Sequence, residues 1–122
     1  MLRPLIAGLL LATGITATAL AADAAAGEKV FKSQCAICHS PKSGNNGLGP
    51  SLFGVYGAKA GQVAGYNFTA ANKTSGLVLD APTLDRYLAD PKGVVPGTRM
   101  TYAGLKDAAK RADVIAYLAT LH

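Results

Sequence analysis

The chain has only two cysteines, Cys35 and Cys38, which lie three positions apart, and His39 directly follows the second. A disulfide between them would close a very small loop, and such loops add little stability. A zinc site needs four ligands, but the only other histidine is His122. A thioredoxin-like dithiol expects neighbouring strands, and the sequence shows no convincing alternating strand pattern. The pattern C-x-x-C-H is instead typical of covalent haem attachment.

The spacing of this motif suits a single porphyrin. Two thiols on one turn reach neighbouring vinyl groups, so Cys35 and Cys38 are each predicted to form a thioether. The adjacent His39 then lies beneath the ring with a nitrogen on the iron. We therefore predict one covalently bound haem c, an apolar group that a domain of this size gains from burying.

The second iron ligand is predicted by elimination. Apart from the initiator methionine and His39, the candidates are Met100 and His122. His122 is terminal and is expected to face solvent, whereas Met100 lies in an irregular stretch that Pro96 and Gly97 can bend towards the iron. A histidine and methionine pair fills both axial positions and raises the reduction potential. This pair predicts electron transfer, with no catalytic residues and no enzyme activity.

Residues 1–21 have the features of a signal peptide. Arg3 gives a positive start, an apolar run extends from Leu5 to Ala19, and Ala19-Leu20-Ala21 forms a small-x-small cleavage pattern. A membrane anchor needs roughly 20 apolar residues, more than this run provides. We predict cleavage after Ala21, which leaves a soluble periplasmic domain at residues 22–122; a retained anchor is the alternative.

The charge balance points to a protein partner. The chain carries 12 basic and 7 acidic residues, a formal net charge of +5. Basic proteins bind nucleic acid, anionic membranes or acidic proteins. Export argues against nucleic acid, and the charges are scattered and do not form a polybasic arm. We predict a monomer that docks on acidic redox partners and takes no small-molecule substrate.

Helical periodicity predicts an all-α fold. Asp23 and Asp80 are expected to cap helices, Gly76 to end one and Asp90-Pro91 to end another. The four predicted helices cover residues 24–34, 69–75, 80–90 and 107–121. The stretches 40–65 and 92–102 are predicted to be irregular. The predicted inward positions are Val30, Phe31, Leu84, Tyr87, Leu88, Ala108, Ala112, Ile115, Leu118 and Leu121.

Six segments together resemble one known family. They are GEKVFKSQCAICH, GPSLFGVYGAKAGQVAGY, NKTSG, TLDRYLADPK, VVPGTRM and ADVIAYL, and they are spread over nearly the whole length of residues 22–122. This pattern resembles the class I (mitochondrial-type) cytochromes c, especially the soluble alphaproteobacterial ones. The resemblance implies crossed N- and C-terminal helices, with short helices and loops wrapping one haem. At the crossing, Gly27 and Phe31 would pack against Val114 and Tyr117.

The same resemblance assigns roles around the haem. It implies that the Pro50 carbonyl accepts a hydrogen bond from the His39 ring, as a partner of a metal ligand should. It also places the Tyr87 hydroxyl close to the Met100 sulfur. Three polar side chains would lie near the haem: Asn72, Tyr87 and Thr98.

The sequence departs from the family at three positions. Many members hold a haem propionate with an arginine, a tyrosine and a tryptophan, where this chain has Ala58, Phe68 and Leu79 and no tryptophan at all. A buried carboxylate needs hydrogen bonds, water or protonation. We expect water or altered loop packing to replace the donors and the potential to depend on pH near neutrality.

In this family, lysines around the exposed haem edge steer the carrier to acidic partners. Gln34 stands where a lysine is common, which implies weaker docking. The main candidates here are Lys29, Lys42, Lys92 and Lys106, with Lys59, Lys73 and Arg99 as further ones.

The predicted function is therefore one-electron transfer. The donor would be a quinol-oxidising cytochrome bc complex, and the acceptor a terminal oxidase, a reaction centre or another haem protein. An electron acceptor for a periplasmic dehydrogenase is the alternative. An open-site haem enzyme or sensor and a haem-free dithiol module are rivals from other classes.

Overall fold

Five helices make up the regular structure of the part of the chain described by this computed structural model, which is Gly14 and residues 22–122. They are α1 (Ala24–Gln34), α2 (Ala70–Lys73), α3 (Ala81–Ala89), α4 (Pro91–Val94) and α5 (Ala108–Ala119). No strand occurs in this range, and one isolated antiparallel bridge pairs Lys59 with Val78. The signal peptide predicted at residues 1–21 lies outside the described residues except for Gly14.

The three long helices each begin at an aspartate. The Asp23 carboxylate accepts from the Ala25 amide at 2.9 Å, and Asp80 and Asp107 each accept from the amide three positions on, at 2.9 and 3.1 Å. These bonds satisfy amides that have no partner within the helix. Helix α1 has the predicted bounds, while α2, α3 and α5 are shorter than predicted.

Helix α4 lies in a stretch that the sequence predicted to be irregular. Asp90-Pro91 ends α3 as expected, but the Asp90 carboxylate then accepts from the Gly93 amide at 3.1 Å. Pro91 occupies the first turn of the new helix, where its missing N–H costs nothing. The same dipeptide therefore stops one helix and starts the next.

Helices α1 and α5 cross closely, and Gly27 lies at the contact. A Cβ on Gly27 would sit 1.9 Å from the Asp113 carbonyl oxygen, so only glycine allows this approach. One turn further on, the Phe31 and Tyr117 rings pack with centroids 5.4 Å apart. Phe31 is almost completely buried, and so is Val114. The crossing that the family resemblance implied is confirmed.

The core forms where α1, α3 and α5 meet. Its buried residues are Phe31, Leu84, Val114, Ile115 and Leu118. Ala108 and Ala112 are exposed, so their prediction as inward positions was wrong. The larger side chains of Val114, Ile115 and Leu118 bury more apolar area, and they set which face of α5 turns inward.

Long connections join these helices, and they carry much of the candidate site. Apart from α2, residues 40–65 and 66–80 form turns and irregular segments, as the glycine-rich composition predicted for the first of them. Within the described residues, no helix has the length and apolar character needed to cross a bilayer.

Candidate haem-binding site

The two thiols and the imidazole lie on one tight turn directly after α1. The Cys35 carbonyl oxygen accepts from the amide of Cys38 at 3.1 Å and from the amide of His39 at 3.0 Å. Both cysteines are free thiols and partly buried. The local backbone therefore brings both thiols and the histidine onto one turn.

Burial keeps the first thiol protonated. Loss of solvent, with a smaller contribution from neighbouring Cys38, raises the pKa of Cys35 to about 11. A thioether forms when a thiol S–H adds across a vinyl C=C bond, a step that needs no oxidant. A turn that holds two thiols close together, unlinked by a disulfide, fits this chemistry.

The His39 ring is fixed in orientation. Its Nδ1 lies 2.7 Å from the Pro50 carbonyl oxygen, which can only accept, so Nδ1 carries the proton. A Cβ on Gly49 would lie 2.5 Å from the ring, so glycine is required for the loop to pack there. Burial lowers the pKa of His39, and the bond to Pro50 opposes this only in part. The ring is thus neutral with Nε2 free to bind a metal.

The methionine side of the site is built by the segment after α4. Gly97 adopts a positive φ of 89°, which turns the chain before Met100. The Tyr87 hydroxyl donates to the Met100 sulfur at 3.3 Å, and the Met100 amide donates to the Thr98 hydroxyl at 3.3 Å. Burial raises the pKa of Tyr87, while hydrogen bonds with Thr98 and Asn72 act against it. These four residues thus form one cluster around the Tyr87 hydroxyl.

The other ligand candidate is in a different setting. His122 is exposed, and its Nδ1 lies 3.1 Å from the carbonyl oxygen of Ala119 at the end of α5. This carbonyl holds the His122 ring much as Pro50 holds His39, but His122 is exposed to solvent, whereas His39 and Met100 are both partly buried. Its environment favours Met100 as the second iron ligand.

The residues present fit a haem c. Two thiols and a neutral imidazole share one turn, a thioether lies in a hydrogen-bonded cluster, and apolar side chains including Leu52, Leu79 and Leu88 pack against the core while remaining partly exposed. When bound, the haem supplies an iron that changes oxidation state by one electron. Within the described residues, no group of three or more His, Cys, Asp or Glu side chains could hold a metal ion on its own.

Three positions that depart from the family pattern have no side-chain hydrogen-bond donor: Ala58, Phe68 and Leu79. The Leu79 amide donates to the Ala58 carbonyl at 2.8 Å, so these two residues bond to each other through the backbone. Phe68 packs edge-on against Tyr66 with ring centroids 4.8 Å apart. The Tyr66 hydroxyl is itself committed to the Leu48 carbonyl at 2.8 Å.

Asn46 is a structural residue that the sequence did not reveal. Its side chain donates to the Ala64 carbonyl at 3.0 Å and accepts from the Ser51 amide at 2.8 Å. It therefore ties together two distant parts of the loop that includes Pro50. An asparagine in a glycine-rich stretch indicates only a turn, so no signal in the sequence pointed to this role.

The fold and this site together define a c-type haem domain of the all-α kind. The chain belongs to the cytochrome c family: the family model for cytochrome c matches residues 24–122. It is 59% identical over 87 residues to cytochrome c2 iso-2 of Magnetospirillum fulvum, covering 71% of this chain and 91% of that protein. It is also 52% identical over 103 residues to cytochrome c2 of Rhodomicrobium vannielii, covering 84% and 82% of the two chains.

A solved structure agrees with these relatives. Cytochrome cH from Methylobacterium extorquens superposes with a TM-score of 0.75 at 52% identity, covering 80% of this chain and 98% of that one. These comparisons confirm the class I cytochrome c fold, a single covalent haem c and a role as an electron carrier, not an enzyme.

Proposed function

We propose that this chain is a periplasmic shuttle that accepts one electron from a quinol-oxidising cytochrome bc complex. It would pass that electron to a terminal oxidase, a reaction centre or another haem protein. In this proposal Cys35 and Cys38 carry the thioethers, and His39 and Met100 bind the iron. Pro50 orients His39, while Asn72, Tyr87 and Thr98 support Met100.

One observation carries this proposal: each of the two proposed iron ligands is held by its own hydrogen bond. The Pro50 carbonyl holds the His39 ring at 2.7 Å, and the Tyr87 hydroxyl holds the Met100 sulfur at 3.3 Å. If both residues bind the iron, no coordination position would remain for oxygen or a substrate. Two ligands held in this way would also favour similar ligand geometry in both oxidation states, which suits rapid electron transfer.

The cleavage site is part of the proposal, because a periplasmic carrier must be released from its leader. We expect the protein purified from the periplasm to begin at Ala22. Intact-mass measurement of the haem-loaded protein tests this directly. A mass that includes residues 1–21 would support a retained anchor.

Exposed basic side chains on this chain support the proposal that its partner has an acidic docking surface. The four main candidates are exposed: Lys29, Lys42, Lys92 and Lys106. The Lys106 ammonium also donates to the Ala89 carbonyl at 2.5 Å, so its position is fixed. Exposed charges of one sign raise association rates, and salt weakens this effect.

Neutralising a docking lysine is expected to slow reduction by a purified cytochrome bc complex. Lys92→Gln should lower the second-order rate constant about twofold to fivefold at low salt, and the difference should vanish at high salt. Lys110→Gln is the matched control, because it removes the same charge from an exposed position in α5. Stopped-flow absorbance gives both rates. Equal rates for both variants would contradict the docking assignment, and no reduction of the wild type would exclude the bc complex as donor.

The reduction potential is expected to fall as the pH rises across neutrality. Because Ala58, Phe68 and Leu79 provide no side-chain donors, a haem propionate beside them should titrate at a raised pKa. The ionised propionate favours the more positive ferric state, so its ionisation lowers the potential. The slope is at most about 59 mV per pH unit for one proton per electron. Redox titrations at several pH values measure it.

A restored donor should flatten this pH dependence. Phe68→Tyr adds a hydroxyl at one of the three positions, while Phe53→Tyr adds one at an exposed site elsewhere and serves as the control. A flat wild-type titration from mildly acidic to mildly alkaline pH would rule out the propionate explanation.

A further inference from the structure

The segment between Met100 and α5 is anchored firmly at its far end. The Leu105 amide donates to the Leu88 carbonyl at 2.8 Å, which ties the segment to α3. The Arg111 guanidinium donates to the Leu105 carbonyl at 2.9 Å, which ties it to α5. Gly104 runs so close to α3 that a Cβ there would meet the Ala89 carbonyl oxygen at 2.2 Å. The far end therefore has little freedom to move.

The near end of this segment depends on one contact. For residues 101–104, the one hydrogen bond to another part of the chain found within the described residues joins the Tyr102 hydroxyl to the Gln34 side-chain oxygen, at 3.0 Å. The two partners lie 68 positions apart in the sequence. The tyrosine is partly buried, while the glutamine is exposed.

The contact between Tyr102 and Gln34 lies between the two segments that carry the proposed iron ligands. Gln34 is the last residue of α1 and directly precedes Cys35. Tyr102 is two residues beyond Met100, so the bond joins the segments that carry the two axial ligands. A phenol ring turns about only two torsions, so its hydroxyl is held at low entropic cost once the ring packs. A glutamine side chain has more rotatable bonds and loses more entropy when a hydrogen bond holds it.

We propose that the hydrogen bond between Tyr102 and Gln34 is a latch that keeps the Met100 segment closed. The two residues position Met100 and do not themselves bind iron. With the bond broken, residues 101–103 can swing away about the anchored far end, and Met100 is released more readily. The proposal rests on the function proposed above, because it takes Met100 as the second iron ligand.

The test uses the haem-loaded ferric protein and free imidazole as the competing ligand. An imidazole nitrogen replaces the Met100 sulfur with no change of oxidation state, and the weak far-red band of sulfur-ligated haem disappears as it does so. Tyr102→Phe removes only the hydroxyl, and Gln34→Met removes the acceptor at similar length. Each should lower the imidazole concentration at half-loss of the band about threefold to tenfold.

Three further variants separate the latch from general effects. The double variant should behave like the single ones, since both remove the same bond. Gln34→Glu keeps an oxygen acceptor at the same position and should restore the wild-type midpoint. Tyr56→Phe is the matched control: Tyr56 is an exposed tyrosine, and no hydrogen bond from its hydroxyl is found in the described part of the chain. Midpoints within twofold of wild type for Tyr102→Phe and Gln34→Met, or fully additive effects, would overturn the latch.

Backbone NMR order parameters of the reduced protein supply a readout that does not depend on loss of the far-red band. The amides of Tyr102 and Ala103 should have lower order parameters in Tyr102→Phe and unchanged ones in Tyr56→Phe. If the wild type lacks the far-red band, the assignment of Met100 as ligand fails, and the order parameters still test the latch. If the band is present but neither midpoints nor order parameters change, the latch alone is wrong.

Discussion

Met100→Ala is expected to abolish the far-red band of the ferric protein while haem remains covalently bound through Cys35 and Cys38. The reason is that the Met100 sulfur is the thioether of the cluster, 3.3 Å from the Tyr87 hydroxyl. A methionine ligand raises the potential of a haem, so its loss should lower the potential by a few tenths of a volt within the roughly 0.8 V that axial ligands span. Absorption spectra and a redox titration of purified protein measure both changes.

The control for this variant is Thr101→Ala, an exposed neighbour whose loss should leave both band and potential unchanged. Carbon monoxide adds a second test, because it needs a free coordination position. The reduced wild type should not bind it at neutral pH, and reduced Met100→Ala should bind it readily. Carbon monoxide binding by the wild type would favour the open-site enzyme or sensor.

His122 is the alternative second iron ligand, and the far-red band also tests this alternative. If the band survives in Met100→Ala, the sulfur of Met100 is not its source. If the wild type has haem but no band, His122→Ala shows whether the terminal histidine is the ligand, since its removal would then change the spectrum. The exposed setting of His122 leads us to expect no change.

The helices were predictable where local chemistry decides them. Asp23 caps α1 through its own neighbouring amides, so the sequence contains all that is needed to place that helix. Helix α4 was missed because a proline after an aspartate indicates both a stop and a start, and only the Asp90 bond to Gly93 decides between them. The exposed positions of Ala108 and Ala112 depend on how α5 packs, which periodicity alone does not fix.

In the candidate site too, residues differ in whether the local sequence could predict them. Cys35, Cys38 and His39 are contiguous, so their chemistry could be inferred from spacing alone. The long-range partners of the ligands could not be inferred in this way: Pro50 as partner of His39, and Tyr87 as partner of Met100, were predicted only from the family resemblance. The Asn46 contacts and the pairing of Tyr102 with Gln34 had no sequence signal, because each depends on how distant segments meet in the fold.

We expect the contact between α1 and α5 to tolerate a larger side chain less than any other part of the fold. Gly27→Val tests this expectation. The new Cβ would lie 1.9 Å from the Asp113 carbonyl oxygen and 3.0 Å from the Tyr117 Cβ. A backbone carbonyl cannot rotate away as a side chain can, so the two helices must separate. Overpacking of this kind typically costs about 1–3 kcal/mol and occasionally more, and we expect a loss of at least about 2 kcal/mol in the free energy of unfolding.

Replacing a glycine inside a helix also has a favourable effect, since alanine in place of glycine stabilises a helix interior by up to about 1 kcal/mol. The steric cost at Gly27 must therefore exceed that gain for the prediction to hold. Ala25→Val controls for the β-branched side chain, because Ala25 is exposed in the same helix. Gly47→Ala controls for loss of a glycine, since a Cβ there would meet nothing closer than 3.6 Å and Gly47 has no positive φ.

Denaturant unfolding of the haem-loaded protein, followed by circular dichroism, compares the four proteins. Gly27→Val should unfold at a clearly lower midpoint than Ala25→Val and Gly47→Ala, with an unchanged slope. Equal midpoints would mean that the helices part at no cost and that the close approach at Gly27 is not needed. Because α1 ends at Gln34 and leads into the turn of Cys35 and His39, a separated α1 also loosens the haem-binding turn. The far-red band should then weaken in Gly27→Val at lower imidazole concentrations than in either control, which ties the crossing of the helices to the ligands of the iron.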